Sequence, residues 1–216
     1  MSRLFIASLV FSTFSSFASA HVAPMPQHFA EPPPAVSLMP RRALDRTTAH
    51  DALAKARAHN LAAFRDYQAK GVFPSNTFSD DKLNVWRDAN GHLCAAATII
   101  DQSGQHELVA RVADQNNFIR LGTVEQGPLM DWILSSGFTQ DEVAAIQEPF
   151  MPVGNDQEPR RPVIDARKRT NEDARLRARY TAVTRQIVKD EKRSLDLATE
   201  RLMAHPQLAW ALIDGA

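Results

Sequence analysis

Proline placement constrains this chain more than any other feature. Six of the 13 prolines fall between His21 and Pro40, and four more between Glu148 and Pro162. Proline lacks a backbone N–H and fixes φ, so neither stretch can hold a helix or a central strand. The first, with Pro32-Pro33-Pro34, leans to extended polyproline conformations and reads as a flexible leader over residues 21–45. The second reads as a linker over residues 150–164. Regular structure is left to residues 46–149, a core domain, and to residues 165–216.

Both of these stretches carry helical patterning. Thr47 or Thr48 can cap a first helix, Asp51 sits in its first turn, and Gly71 ends it. Leu53, Ala56, Leu61, Phe64 and Tyr67 fall largely on one face of it. Leu83 to Trp86 is a short strand candidate. Asn90-Gly91 suits a hairpin turn, which would make His92 to Ile100 a strand. Cys94-Ala95-Ala96-Ala97 favours helix instead, and a helix over His92 to Gln102 is preferred because alanine is poor in strands. Gln105 to Asp114 reads as a further helix, and Phe118 to Val124 either crosses the surface or forms a short extended piece. Pro128 suits the first turn of a helix running to Gly137, and Thr139-Gln140-Asp141-Glu142 matches a capping box.

From Asp165 to His205 there is neither Pro nor Gly. Leu176, Tyr180, Val183, Ile187, Leu195, Ala198 and Leu202 follow helical spacing, with a one-residue slip after Ile187. That predicts a long amphipathic helix without a strict heptad, followed beyond Pro206 by a short terminal helix. The expected fold is mainly α: a small helical core with at most a short β element, then the long C-terminal helix.

The amino terminus has its own pattern. Arg3 precedes an apolar stretch, Leu4 to Phe14, and Ala18-Ser19-Ala20 offers the small residues that signal peptidase accepts. Residues 1–20 therefore read as a cleavable secretory signal, cut between Ala20 and His21. The run is too short and too rich in Ser to span a bilayer, and no later segment is apolar enough to do so. Export places the mature chain in the periplasm or outside the cell. Cys94 is the one cysteine, so no internal disulfide supports the core, and a buried thiol is the expected state.

A net charge of zero conceals an asymmetry. Between Ser75 and Glu158 four basic residues stand against thirteen acidic ones; between Arg160 and Arg193 twelve basic residues stand against five acidic ones. The split predicts a long helix that docks loosely on the core through charge and releases as salt rises. Exposed pairs are worth only about 0–1 kcal/mol each and are screened.

Asp88-x-x-Gly91-x-x-Cys94-Ala95 is followed by Ser103-Gly104, Leu108-Val109, Asn116-Asn117, Trp132 and Ser136-Gly137, then by Thr139-x-Asp141-Glu142 and Ile146-Gln147. With these residues the stretch Trp86 to Pro149 resembles a family of exported bacterial proteins of unknown function. The resemblance covers about half the chain. It implies one helical unit reaching back to about Thr47, and no activity.

Three functional readings stay open. The first, which fits best, is a non-enzymatic interaction module of the bacterial envelope or exterior. The second is anion binding by the basic helix, through Arg167, Lys168, Arg169, Arg175, Arg177 and Arg179, toward lipid head groups or acidic polymers. Aromatic interleaving is missing there, with Tyr180 alone, so genomic nucleic acid is not an expected partner. The third is a cysteine-dependent hydrolase, with Cys94 at a helix amino terminus and His92 or His106, with Asp101, completing the catalytic set. No cofactor or metal is expected. An amino-terminal His21 can clamp copper, but its nearest companion, His28, lies in the proline-rich leader with no scaffold behind it. Amino-terminal sequencing of the exported form should start at His21; recovery of Met1 would overturn the signal assignment.

Overall fold

Asp45 starts the first helix. Its carboxylate accepts the backbone N–H of Thr48 at 2.8 Å and the Thr48 hydroxyl at 2.7 Å, capping α1 (Arg46–Lys70). The cap is thus Asp45 rather than Thr47 or Thr48, in keeping with the stronger preference of Asp for that position. Gly71, at φ 62°, ends the helix in the left-handed conformation that glycine adopts without strain. Twenty-five residues give a rod about 37 Å long, against which the rest is assembled.

This computed structural model describes residues 43–74, 85–147 and 166–215. The signal segment, His21 and His28, the leader up to residue 42, Leu83 and Asn84, and the proline-rich linker lie outside the described residues. Among the described residues seven more helices follow α1: α2 (Ala95–Gln102), α3 (His106–Gln115), α4 (Pro128–Ser135), α5 (Gln140–Gln147), α6 (Ala166–Lys189), α7 (Glu191–Met203) and α8 (Pro206–Gly215). The fold is mainly α. The β content of the described residues is a single antiparallel bridge between Arg87 and Leu93. Val85 and Trp86 belong to no strand; the Trp86 N–H donates to Asn117 O at 2.8 Å and its carbonyl accepts from Cys94 N–H at 2.9 Å. Hairpin and helix therefore share the segment after Trp86: the bridge closes around Asn90-Gly91, and α2 starts only at Ala95. Phe118 to Val124 tightens into a 3-10 turn at Leu121–Thr123.

The inward stripe of α1 is Ala49, Leu53, Arg57, Asn60, Phe64 and Tyr67. Ala56 and Leu61, expected on that stripe, are only partly buried. Polar residues take two core positions and divide the interior in two. On one side Phe64, Trp86, Cys94, Ile99, Ile133 and Ile146 pack with Tyr180 and Ile187. On the other, Ala49 and Leu53 pack with Leu195, Leu202 and Ala209.

Between them lies an ionic junction. Arg57 is 1% exposed. Its Nη1 reaches Glu142 Oε2 at 3.0 Å and Gly137 O at 2.9 Å, and its Nη2 reaches Glu142 Oε1 at 2.7 Å and Ile187 O at 2.7 Å. The guanidinium lies 5.1 Å from the centre of the Phe138 ring. Glu142 also accepts the Thr139 N–H at 2.8 Å, as a capping box requires, and the Ser194 hydroxyl at 2.9 Å. One ion pair thus joins α1, α5, the end of α6 and the start of α7.

The expected long helix is two helices. Asp190, at φ −94° and ψ 7°, separates α6 from α7, three residues after the pattern slips at Ile187. Together they run antiparallel to α1: Arg177 bonds Gly71 O, Gln68 bonds Thr184, Arg57 bonds Ile187 O, and Arg46 pairs with Glu200. Leu176, Tyr180, Val183 and Ile187 are buried in the core itself. Tyr180 sits among Phe64, Phe73 and Tyr67, with ring centres 5.5 to 5.7 Å away. Loose, charge-driven docking of this helix is therefore replaced by apolar packing, in which each buried large side chain contributes about 1.5–3 kcal/mol.

Arg57→Ala should lower stability by about 3–5 kcal/mol in urea denaturation, because Glu142 would stay buried without its partner. Adding Glu142→Leu should recover part of that loss. A destabilisation under 1 kcal/mol for the single variant would show that the pair is not the junction described.

Candidate functional site

The residues proposed for catalysis are dispersed. Asp88 organises the turn before α2: its Oδ1 accepts the N–H groups of Asn90 and His92, each at 2.9 Å, while Gly91 adopts φ 83°. His92 Nδ1 lies 3.1 Å from Asp88 Oδ2. Cys94 is the N-cap of α2, with Sγ accepting the Ala97 N–H at 3.4 Å. It is fully buried, and burial pushes its thiol up to about 12. The amide bonds at the helix start pull the other way and do not overcome desolvation.

His106, which is exposed, has Nδ1 2.7 Å from Asp101 Oδ1. That pair stands at the far end of α2, about 10 Å along the axis from Cys94. Each imidazole is thus held by a carboxylate and neither by Sγ, so no Cys-His-Asp relay is assembled. Among the described residues no group of three His, Cys, Asp or Glu side chains could hold a metal ion.

The basic face of α6 is partly committed within the molecule. Arg169 donates to Phe73 O at 2.8 Å and pairs with Asp173 at 3.1 Å. Arg177 donates to Gly71 O and lies over the Phe73 ring at 5.4 Å. These two arginines meet the carbonyls at the end of α1, where the helix dipole favours cations. Arg175 pairs with Glu172 at 2.6 Å. Arg167 and Arg179 are exposed, and the Lys168 side chain lies outside the described residues.

Among the described residues, packing leaves open a groove of about 860 Å³ between α1, the end of α2, α4 and α8. Ala52 and Ala56 of α1, Trp132 of α4, and Leu208, Ala211 and Leu212 of α8 form its apolar walls. The small residues of α1 keep that face shallow enough to leave space. Trp132 is fixed by its indole N–H, which donates to Ser103 Oγ at 2.8 Å. Asn60 lines the groove at 3% exposure: Nδ2 donates to Ser136 O at 2.8 Å, and Oδ1 has no hydrogen-bond partner among the described residues. His59 and Lys55 stand exposed at its edge.

None of these groove residues was singled out for binding in the sequence. The available signal was spacing: Leu53, Arg57, Asn60, Phe64 and Tyr67 form an unbroken helical stripe, so two polar residues at core positions were visible as such. Comparison with family models, with curated proteins and with solved structures returned no match.

Cys94 should label slowly with thiol reagents in the native state and fast on unfolding. Its folded thiol titrates near 12 against an ordinary value of 9.0, so the unfolded chain loses the proton first. Stability should therefore fall as pH rises from about 9 toward about 12, and Cys94→Ser should flatten part of that slope. Rapid native labelling at neutral pH would restore Cys94 as a nucleophile.

Proposed function

We propose that the chain is an exported, non-enzymatic interaction module that holds its ligand in the groove between α1, α2, α4 and α8. The observation that carries this reading is the groove itself: about 860 Å³, apolar walls, and a buried asparagine with an unpartnered acceptor. Ligand sites of about 300–1,000 Å³ with apolar linings and few polar groups are the common form. Export rests on the amino-terminal pattern that ends at Ala20. No helix among the described residues is long and apolar enough to cross a membrane.

Binding is preferred to catalysis because the polar side chains near the groove are occupied with structure. The Ser103 hydroxyl donates to Ile100 O, Ser136 donates to Ile133 O, and Cys94 is withdrawn into the core. No hydroxyl or thiol here is paired with a histidine base, as an activated nucleophile requires.

Ala56→Trp would fill the groove from its partly exposed α1 wall. The mature protein isolated from its own envelope fraction should carry a co-purifying species, seen by native mass spectrometry, that is lost in Ala56→Trp while the helical circular dichroism is unchanged. Equal recovery of that species by both proteins would place binding elsewhere.

A further inference from the structure

The chemistry of the groove narrows its ligand. Lys55 is the one Asp, Glu, Lys or Arg side chain on its lining, and it has no ion pair among the described residues. Among the described lining residues the lip therefore carries one lysine ammonium and no side-chain carboxylate. The interior presents the reverse polarity: among the described buried side-chain atoms of the lining residues, the one without a partner is Asn60 Oδ1, an acceptor. Its amide cannot be turned to offer a donor, because Nδ2 is engaged by Ser136 O. A buried acceptor without a partner has lost its water and gained nothing in return, a cost that a ligand N–H would recover. Between these two points the walls are Trp132, Leu208 and Leu212.

Lys55 and Asn60 are five residues apart on α1, about 7.5 Å along the helix axis. Two extended peptide residues span about 7 Å. We propose that the groove binds the carboxyl-terminal end of a short apolar peptide, with a backbone N–H on Asn60 Oδ1, the terminal carboxylate beside Lys55, and the apolar side chains against Trp132 and the α8 wall. The inference rests on the groove being the binding site. Asn60 Oδ1 is shielded in the unliganded protein, so the inner hydrogen bond forms as the ligand seats and the floor gives way. A plain fatty acid has the apolar body and the carboxylate but no donor. A carboxamide-ended peptide has the donor but no charge.

Isothermal calorimetry on the mature chain from residue 21 tests this with N-acetyl-leucyl-leucine as the probe. The dipeptide should bind. Its carboxamide, its backbone N-methylated form and decanoate should each bind at least tenfold more weakly. Lys55→Gln, a change at an exposed position, should make the acid and the carboxamide bind alike. Decanoate binding as tightly as the dipeptide would overturn the inference and leave the groove as a site for apolar acids. Unchanged preference for the acid in Lys55→Gln would also overturn it. Absence of binding by all four probes would overturn it as well, while the Ala56→Trp comparison decides independently whether the groove is used.

Discussion

Arg57 and Glu142 form the contact on which the remaining packing depends. A guanidinium at this depth is tolerable only if its charge and donors are met, and here a carboxylate and two backbone carbonyls meet them. Because the donors are a rigid fork, the partners must arrive together in one geometry. The same carboxylate caps α5 and accepts from Ser194 on α7. The close approach that this needs is made by Gly137. A Cβ there would stand 2.3 Å from Leu53 O and 2.6 Å from the Arg57 Cβ, so no other residue lets the α4–α5 turn lie against α1. Its φ of 77° points to the same choice.

Much of the element order was legible because local chemistry and global fold agree. Pro128 opens α4, Gly71 closes α1, and Thr139 with Glu142 starts α5, each as its residue type dictates. The break at Asp190 was present as a slip in the apolar pattern, but pattern alone does not say whether a helix bends, slides or stops. The burial of α6 was hidden by its composition. Its eight basic residues suggested a solvated rod, whereas Leu176, Tyr180, Val183 and Ile187 made a complete inward stripe. Charge density describes the outside of such a helix, and the stripe decides where it sits.

The groove and the ionic junction were harder to read, for one reason. Both depend on polar residues at positions where an amphipathic pattern expects apolar ones, and a polar residue on a helix is ordinarily assigned to solvent. Arg57 needed a partner 85 residues away, and Asn60 one 76 residues away. Several residues between Trp86 and Gln147 do similar bridging. Asn117 exchanges two hydrogen bonds of 2.9 Å with the backbone of Arg87, and Gln147 joins Leu121 N–H to Ile119 O. Gln140 donates to the carbonyls of Leu121 and Val124. These amides stand in for the neighbouring strand that the loops lack.

The single thiol at the start of α2 has a consequence for how such a chain would fare under oxidising conditions. Disulfide exchange needs a thiolate that another sulfur can reach. In the folded protein Cys94 offers neither, since it is neutral and sealed beneath the core. Before folding it offers both in part, and with no second cysteine in the chain the first partner it can find is another molecule. The hazard of covalent dimers is thus confined to the interval before burial of α2. Folding speed, more than folded stability, sets the yield of monomer.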